Sequence, residues 1–176
     1  KTPILQKTKE VRENINHKIA VNRANEIVSF KRGYGFGEPI QYIRRGSNES
    51  LTDDINSLNE YMFSENKHAE DSTLAEWLYV CGLGMRMTLP GKDNDEPFKI
   101  YTLDPRYSFV VNYNGLGETV VMGVKAITKE DNVVVYSVYT KDQYFEIENG
   151  LVTKAEAHVL GDVPIFEYPA NTARLG

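Results

Sequence analysis

From Gly84 onward the chain is cut by turn-forming residues about every ten positions, and between the cuts lie short runs rich in β-branched and aromatic residues. The runs are Met85–Leu89, Phe98–Leu103, Tyr107–Tyr113, Thr119–Thr128, Val133–Thr140, Tyr144–Ile147 and Val152–His158. The cuts are Pro90–Pro97, Asp104-Pro105, Asn114-Gly115, Glu130-Asp131-Asn132 and Asn149-Gly150. Gly and Asn tolerate positive φ and Pro fixes it negative, which is why these residues turn a chain. Asn149-Gly150 between two alternating runs is the strongest hairpin signal, and Glu130-Asp131-Asn132 a weaker one. Such spacing leaves no room for crossover helices, so an antiparallel meander is expected. A last run, Val163–Tyr168, carries Pro164 and ends against Pro169, which fits an edge strand or extended tail.

Before Gly84 the period is helical. Ile15, Ile19, Ala20, Ala24, Ile27 and Val28 recur at helical spacings, predicting a long helix over about 8–32. Gly33, Gly35 and Gly37 are expected to stop it, with Pro39 against resumption. Its apolar arc widens toward the C-terminal half, so it needs cover on more than one side, from this domain or another subunit. Ile40–Ile43 reads as a short strand. Leu51, Ile55, Leu58 and Met62 mark a second helix, with Ser50 or Thr52 as N-cap and Asp53 and Asp54 suited to its dipole. Asn66–Ser72 is polar and reads as a break. Leu74, Trp77, Leu78 and Cys81 mark a third helix, ending at Gly82 and buried along that stripe. Helices first and strands second give an α+β fold, with N-terminal helices packed on a mostly antiparallel sheet. The expected organisation is a mainly helical segment 1–83 and a β-rich segment 84–176, together one domain. A chain of 176 residues is long enough for one real core.

Charge is uneven. Residues 1–45 carry a net +6 and residues 46–176 a net −11, within an overall −5. A basic start on an acidic body points to packing of the start against the body, or to an anionic partner. The acidic total argues against tight nonspecific nucleic-acid binding by the domain alone. Lys18, Arg23, Lys31, Arg32, Arg44 and Arg45 interleave with Tyr34, Phe36 and Tyr42, a loose version of a backbone-holding, base-stacking surface. Contacts to an acidic neighbouring subunit are the favoured alternative. No apolar run approaches the 18 or so residues of a membrane helix. The single cysteine excludes an internal disulfide framework and multi-cysteine zinc sites. The chain opens on Lys1 without Met or a basic-then-apolar leader, so a piece of a longer protein is expected.

Chemistry is sought and not found. Gly33-Tyr34-Gly35-Phe36-Gly37 has the glycines of a phosphate loop but follows a helix instead of a strand. Asp93-Asn94-Asp95-Glu96 fails the calcium-loop pattern, with Phe98 at the glycine position and Asp104 at the bidentate position. His17, His68 and His158 share no metal-ligand spacing. His17 reads as a surface residue and His158 as a satisfied core residue. Cys81 reads as a small buried hydrophobe. No serine sits in a nucleophile-elbow frame. Asp53/Asp54 and Asp71/Glu76 do not pair their carboxylates on one face. Asn48-Glu49-Ser50 fits the glycosylation pattern alone. No catalytic, cofactor-binding or metal-ligating residue is therefore expected, and the chain is not expected to be an enzyme.

Four phrases occur in order: Asn16-His17-Lys18-Ile19-Ala20-Val21-Asn22 running to Glu26-Ile27-Val28, with Gly33-Tyr34 and Gly37-Glu38-Pro39-Ile40; Cys81-Gly82-Leu83-Gly84 into Met85–Pro90; Leu103-Asp104-Pro105-Arg106 into Phe109-Val110-Val111; and His158-Val159-Leu160-Gly161 with Val163-Pro164-Ile165 and Glu167-Tyr168-Pro169-Ala170-Asn171. Together they resemble the SPP1-like portal proteins of tailed bacteriophages. Asp104-Pro105 makes a turn in which Arg106 can pair with a nearby acid, and Gly161 and Pro164 bracket a change of direction. The resemblance implies a head-tail connector of a phage or prophage, a ring of usually twelve copies at one capsid vertex. Double-stranded DNA enters and leaves through it. Its implied partners are further copies of itself, the terminase (which hydrolyses the ATP), scaffold or capsid, and head-completion proteins, with no membrane. The implied location is the virion vertex, and the host bacterial cytoplasm during assembly. The chain resembles the wing region, ahead of the channel-lining helices. The competing reading is a non-viral α+β protein-binding module without catalysis.

Overall fold

A computed structural model describes residues 21–46, 51–92, 96–113, 119–130 and 132–170. Helix α1 spans Arg23–Phe36, α2 Thr52–Ser64 and α3 Lys67–Cys81. Eight strands follow: β1 Leu83–Pro90, β2 Phe98–Leu103, β3 Ser108–Asn112, β4 Val120–Thr128, β5 Val134–Tyr139, β6 Gln143–Glu148, β7 Leu151–Ala157 and β8 Ile165–Pro169. They form two antiparallel sheets, a three-stranded one ordered β2-β1-β8 and a five-stranded meander ordered β3-β4-β5-β6-β7. The fold is α+β, as the sequence implies.

The strand runs land within a residue or two of their expected positions, and the turns at Asn149-Gly150 and Gly161 are held by the chemistry that marks them; Asn114-Gly115 lies outside the described residues. Asn149 and Gly150 both take positive φ (51° and 78°) and close the β6–β7 hairpin. Gly161 has φ 72°, turning the chain back toward β8. The final run pairs with β1 alone and is an edge strand, with Pro169 at its end.

Four expectations for the segment before Gly84 change. α1 runs through Gly33 and Gly35, and only Gly37 caps it. A Cβ on Gly35 would stand 3.5 Å from the Tyr79 hydroxyl, so Gly35 lies where α1 comes closest to α3. The N-terminal part of the expected first helix, with Lys18 and His17, lies outside the described residues. Residues 40–43 form no strand. Instead the Asn59 side chain bonds both backbone groups of Tyr42, N–H and C=O, at 2.9 Å each, doing for one residue what a neighbouring strand would do. α2 begins at Thr52 behind Leu51, with no side-chain cap, while Asp53 and Asp54 occupy the first turn as expected. The polar stretch 67–72 is no break: the chain turns at Asn66 (φ 54°) and α3 starts at Lys67. Gly82, with φ 73°, ends α3 and donates its N–H to the Leu78 carbonyl.

Strand alternation fixes the layers. On one face of the three-stranded sheet, Leu74 of α3 lies against Gly84, where a Cβ would come within 2.8 Å of the leucine methyl. On the other face Met85, Met87, Leu103 and Ile165 form the buried core, and Val110 and Tyr139 of the meander pack on it. Gly123 of β4 lets the meander close in, since a Cβ there would lie 2.7 Å from the Ile165 Cβ. The order is α1, α3, three-stranded sheet, five-stranded sheet. The outer edge of β2 is closed by helices: Tyr61 donates to the Phe98 carbonyl, and the Glu70 carboxylate accepts from the Thr102 N–H. Such caps blunt an edge that would otherwise pair with another chain.

Candidate assembly surfaces

The basic residues near the start are largely spent within the chain. Arg32 pairs with Glu76 of α3, Lys31 sits 5.7 Å over the Tyr79 ring, and Arg23 pairs with Glu26 one turn on. Arg44 is half-buried, and its Nη1 lacks a hydrogen-bond partner among the described residues. Tyr42 lies beneath Lys67, 5.7 Å from its ammonium, and Tyr34 stacks on Phe30. Arg32 thus ties α1 to the acidic body, while Lys18 and the basic residues before it lie outside the described residues; among the described side chains, Lys31, Arg32, Tyr34 and Tyr42 make these separate contacts and not a shared base-stacking surface.

What α1 leaves open is apolar. Ile27, Phe30 and Tyr34 are 57 %, 73 % and 88 % exposed, and none of the helix's residues is buried. Val28, Arg32 and Phe36 are the partly covered positions. At 100° per residue the open arc centres about 165° from that stripe. Of the arc read from the sequence, Ala24 and Ile27 are open and Val28 is partly covered, while Ile15, Ile19 and Ala20 lie outside the described residues; Ile27, Phe30 and Tyr34 have no cover among the described residues.

A buried ionic cluster ties α3 to β1. Asp71 pairs with Lys67 one turn before it and with Arg86 at 2.8 Å. The Arg86 contact is an ion pair without hydrogen-bond alignment, and Nε has no hydrogen-bond partner among the described residues. Thr102 stands opposite Arg86 in the β1–β2 register, so the Glu70 carboxylate on its N–H brings a second negative charge to the same corner. Sequence reading missed this cluster because its members look like a solvated polar stretch. The one signal available was the 4-residue spacing of Lys67 and Asp71.

The Asp104-Pro105 corner is built as expected. Asp104 accepts from the Arg106 backbone N–H at 2.9 Å and from its guanidinium at 2.6 Å. The guanidinium holds the Asp104 carboxyl below its ordinary range. Arg106 also lies 5.0 Å over the Trp77 ring, covering one face of a half-buried residue. His158 is satisfied: Nδ1 accepts from the Leu160 N–H at 3.3 Å, which leaves Nε2 to donate to the Thr140 carbonyl at 3.1 Å. Cys81 is exposed, not buried, since it falls on the last residue of α3, past the sheet contact. His68 lies partly covered beside the Lys67–Asp71 pair, in a cleft of about 320 Å³ with Met62 and Ile40. The expected glycosylation triplet and most of the acidic Asp93–Asp95 loop lie outside the described residues, as does His17. Among the described residues no three His, Cys, Asp or Glu side chains converge as a metal site, and no helix is long and apolar enough to cross a membrane.

What these contacts hold is shape: corners, an edge cap and a layer junction, with open apolar surface left over. No curated protein matches the chain. Over residues 1–176, its whole length, it matches the family model described as phage portal protein, SPP1 Gp6-like, and the chain belongs to that family.

Proposed function

We propose that this chain is the wing part of a portal subunit. Copies assemble into a ring, usually of twelve, at one capsid vertex, and double-stranded DNA is packaged and ejected through the ring. The match to the phage portal family over the whole chain carries this reading. Segments 1–83 and 84–176 act as one wing-like domain, a reading supported by the packing of Leu74 on Gly84 and by the Asp71–Arg86 pair across their junction. The open arc of α1 supports an assembly role, because isolated soluble domains seldom leave aligned large apolar residues unused. The role proposed is structural, with no catalytic, cofactor-binding or metal-ligating residue assigned. Terminase, scaffold or capsid, and head-completion proteins are the proposed partners. The capsid vertex of the virion is the proposed location, reached from the host bacterial cytoplasm.

Negative-stain microscopy of the full-length protein at neutral pH tests the reading. Rings with a central hole are expected. Monomers alone, over a range of salt and concentration and with scaffold protein added, would overturn it.

A further inference from the structure

Residues of an antiparallel strand bond alternately to one side and the other, so a ladder also fixes which backbone groups it leaves unused. On β8 the Pro164 carbonyl accepts from the Thr88 N–H, and the Ala170 N–H donates to the Gly82 carbonyl. The register then commits Phe166 and Tyr168 to β1 and turns the N–H and C=O of Ile165 and Glu167 away from it. On β3 the flanking Tyr107 carbonyl accepts from the Ala126 N–H, and the Tyr113 N–H donates to the Thr119 carbonyl. Phe109 therefore bonds toward β4, while the backbone groups of Val110 and Asn112 face the other way. None of these outward groups has a partner strand among the described residues. The two open edges border one groove of about 390 Å³, lined by Val110 and Asn112 of β3, Val120 of β4, and Asp162, Ile165 and Glu167.

The same sheet closes its other edge, at β2, with Tyr61 and Glu70. At β8 nothing among the described residues does so. The groove runs from the exposed Glu167 to Ile165, which is 1 % exposed and sits on Gly123. Water has little access to the Ile165 groups, so a strand that bonds them removes a cost the chain otherwise carries. The charge of the groove is one-sided. Asp162 and Glu167 line it, and no Lys, Arg or His does. Val110 and Val120 make an apolar bank, and Phe166 and Tyr168, 43 % and 45 % exposed, lie along the β8 side. Main-chain rungs beside alternating side-chain surfaces are what strand addition uses for affinity and for selection. We propose that this groove takes an extended segment of another polypeptide with cationic side chains. It pairs with β8 through the backbone groups of Ile165 and Glu167, sets an apolar side chain against Val110 and Val120, and brings a Lys or Arg to the Glu167 carboxylate. The groove lies within one copy, so it is present whether or not rings form.

The test uses the full-length protein, residue-resolved hydrogen exchange and two acetylated peptide probes, one of alternating Val and Lys, the other of alternating Val and Glu. In the protein alone the Glu167 N–H is expected to exchange at least about tenfold faster than the N–H groups of Phe166 and Tyr168, which β1 holds. The Val-Lys peptide is expected to slow Glu167 exchange, and the Val-Glu peptide to leave it as it was. Glu167→Pro deletes the outward N–H and the carboxylate and spares the β1 ladder, a place where an edge strand tolerates proline. With a thermal melt matching wild type, it is expected to bind the Val-Lys peptide at least about tenfold more weakly. Glu167→Gln keeps the rung, so it should still bind the Val-Lys peptide but discriminate less between the two probes. It carries the test alone if the proline variant does not fold. A Glu167 N–H that is already slow in the protein alone would overturn the proposal, the rung then being covered within the chain. No binding of the Val-Lys peptide at about 1 mM would overturn it too. So would binding that leaves Glu167 exchange unchanged, which is attraction to the acidic surface at large, and so would equal discrimination by Glu167→Gln and wild type.

Discussion

Asp71 of α3 and Arg86 of β1 meet at 2.8 Å with side chains only 7 % and 13 % exposed. Lys67 lies on the same carboxylate. One buried anion thus serves two buried cations, and it joins the helical layer to the sheet. Removing one partner of a buried pair leaves an uncompensated charge, which costs far more than the pair contributes. Asp71→Ala is therefore expected to destabilise the domain by about 3–5 kcal/mol. Arg86→Met should cost much less, because Asp71 keeps Lys67. Urea denaturation of the two variants decides this, and equal losses would refute the shared-anion account.

Two glycines are expected to respond in opposite directions. Gly33 lies inside α1 with open space where a Cβ would stand. Gly33→Ala should raise stability by about 0.5–1 kcal/mol through lost backbone freedom in the unfolded chain. Gly123→Ala places a methyl against Ile165 and should lower stability by about 1–3 kcal/mol. Thermal melts of both variants read the sign directly.

Trp77 is half-buried, with Arg106 over one face. That is less cover than a core tryptophan has. Trp77→Ala should cost about 2–3 kcal/mol instead of the 3–5 kcal/mol of full burial. A loss under about 1 kcal/mol would mean the ring contributes little to the junction of α3 with the Asp104 corner.

Burial, with Tyr144 and Glu146 nearby, pushes the Tyr139 phenol up to about 12. Its unfolded value is near 10. Above pH 10 the unfolded chain loses this proton while the folded chain keeps it. The stabilisation is complete below pH 10 and is lost progressively between about 10 and 12. Tyr139→Phe keeps the ring and should flatten the alkaline limb of a stability-against-pH curve. An unchanged limb would place the alkaline sensitivity elsewhere.

Strand positions were legible because turn chemistry is local. Asn149-Gly150 and Gly161 act through their own φ angles, which no distant contact needs to supply. Helix ends were less legible where a neighbour decides. Gly33 and Gly35 read as a stop because glycine lowers helix propensity by about 1 kcal/mol. Both stay helical; Gly35 does so where α1 packs on Tyr79 of α3, whereas Gly33 faces open space. The polar stretch 67–72 read as solvated because a sequence cannot show that Asp71 faces Arg86 fifteen residues on. Likewise Ile40–Ile43 has strand composition, but the backbone groups of Tyr42 go to one Asn59 side chain. Which residues of neighbouring meander strands share a face became visible only with the register. Alternation tells which residues share a face and not which face meets the core.

Tyr61 and Glu70 occupy backbone groups on the free side of β2. This makes the three-stranded sheet a ladder with a stopped end. A neighbouring copy cannot extend it by adding a strand at these rungs. At that edge, copies assembled as proposed above would meet through side chains, with the angle between neighbours set by the curvature of their packed surfaces instead of the fixed pitch of a hydrogen-bonded sheet.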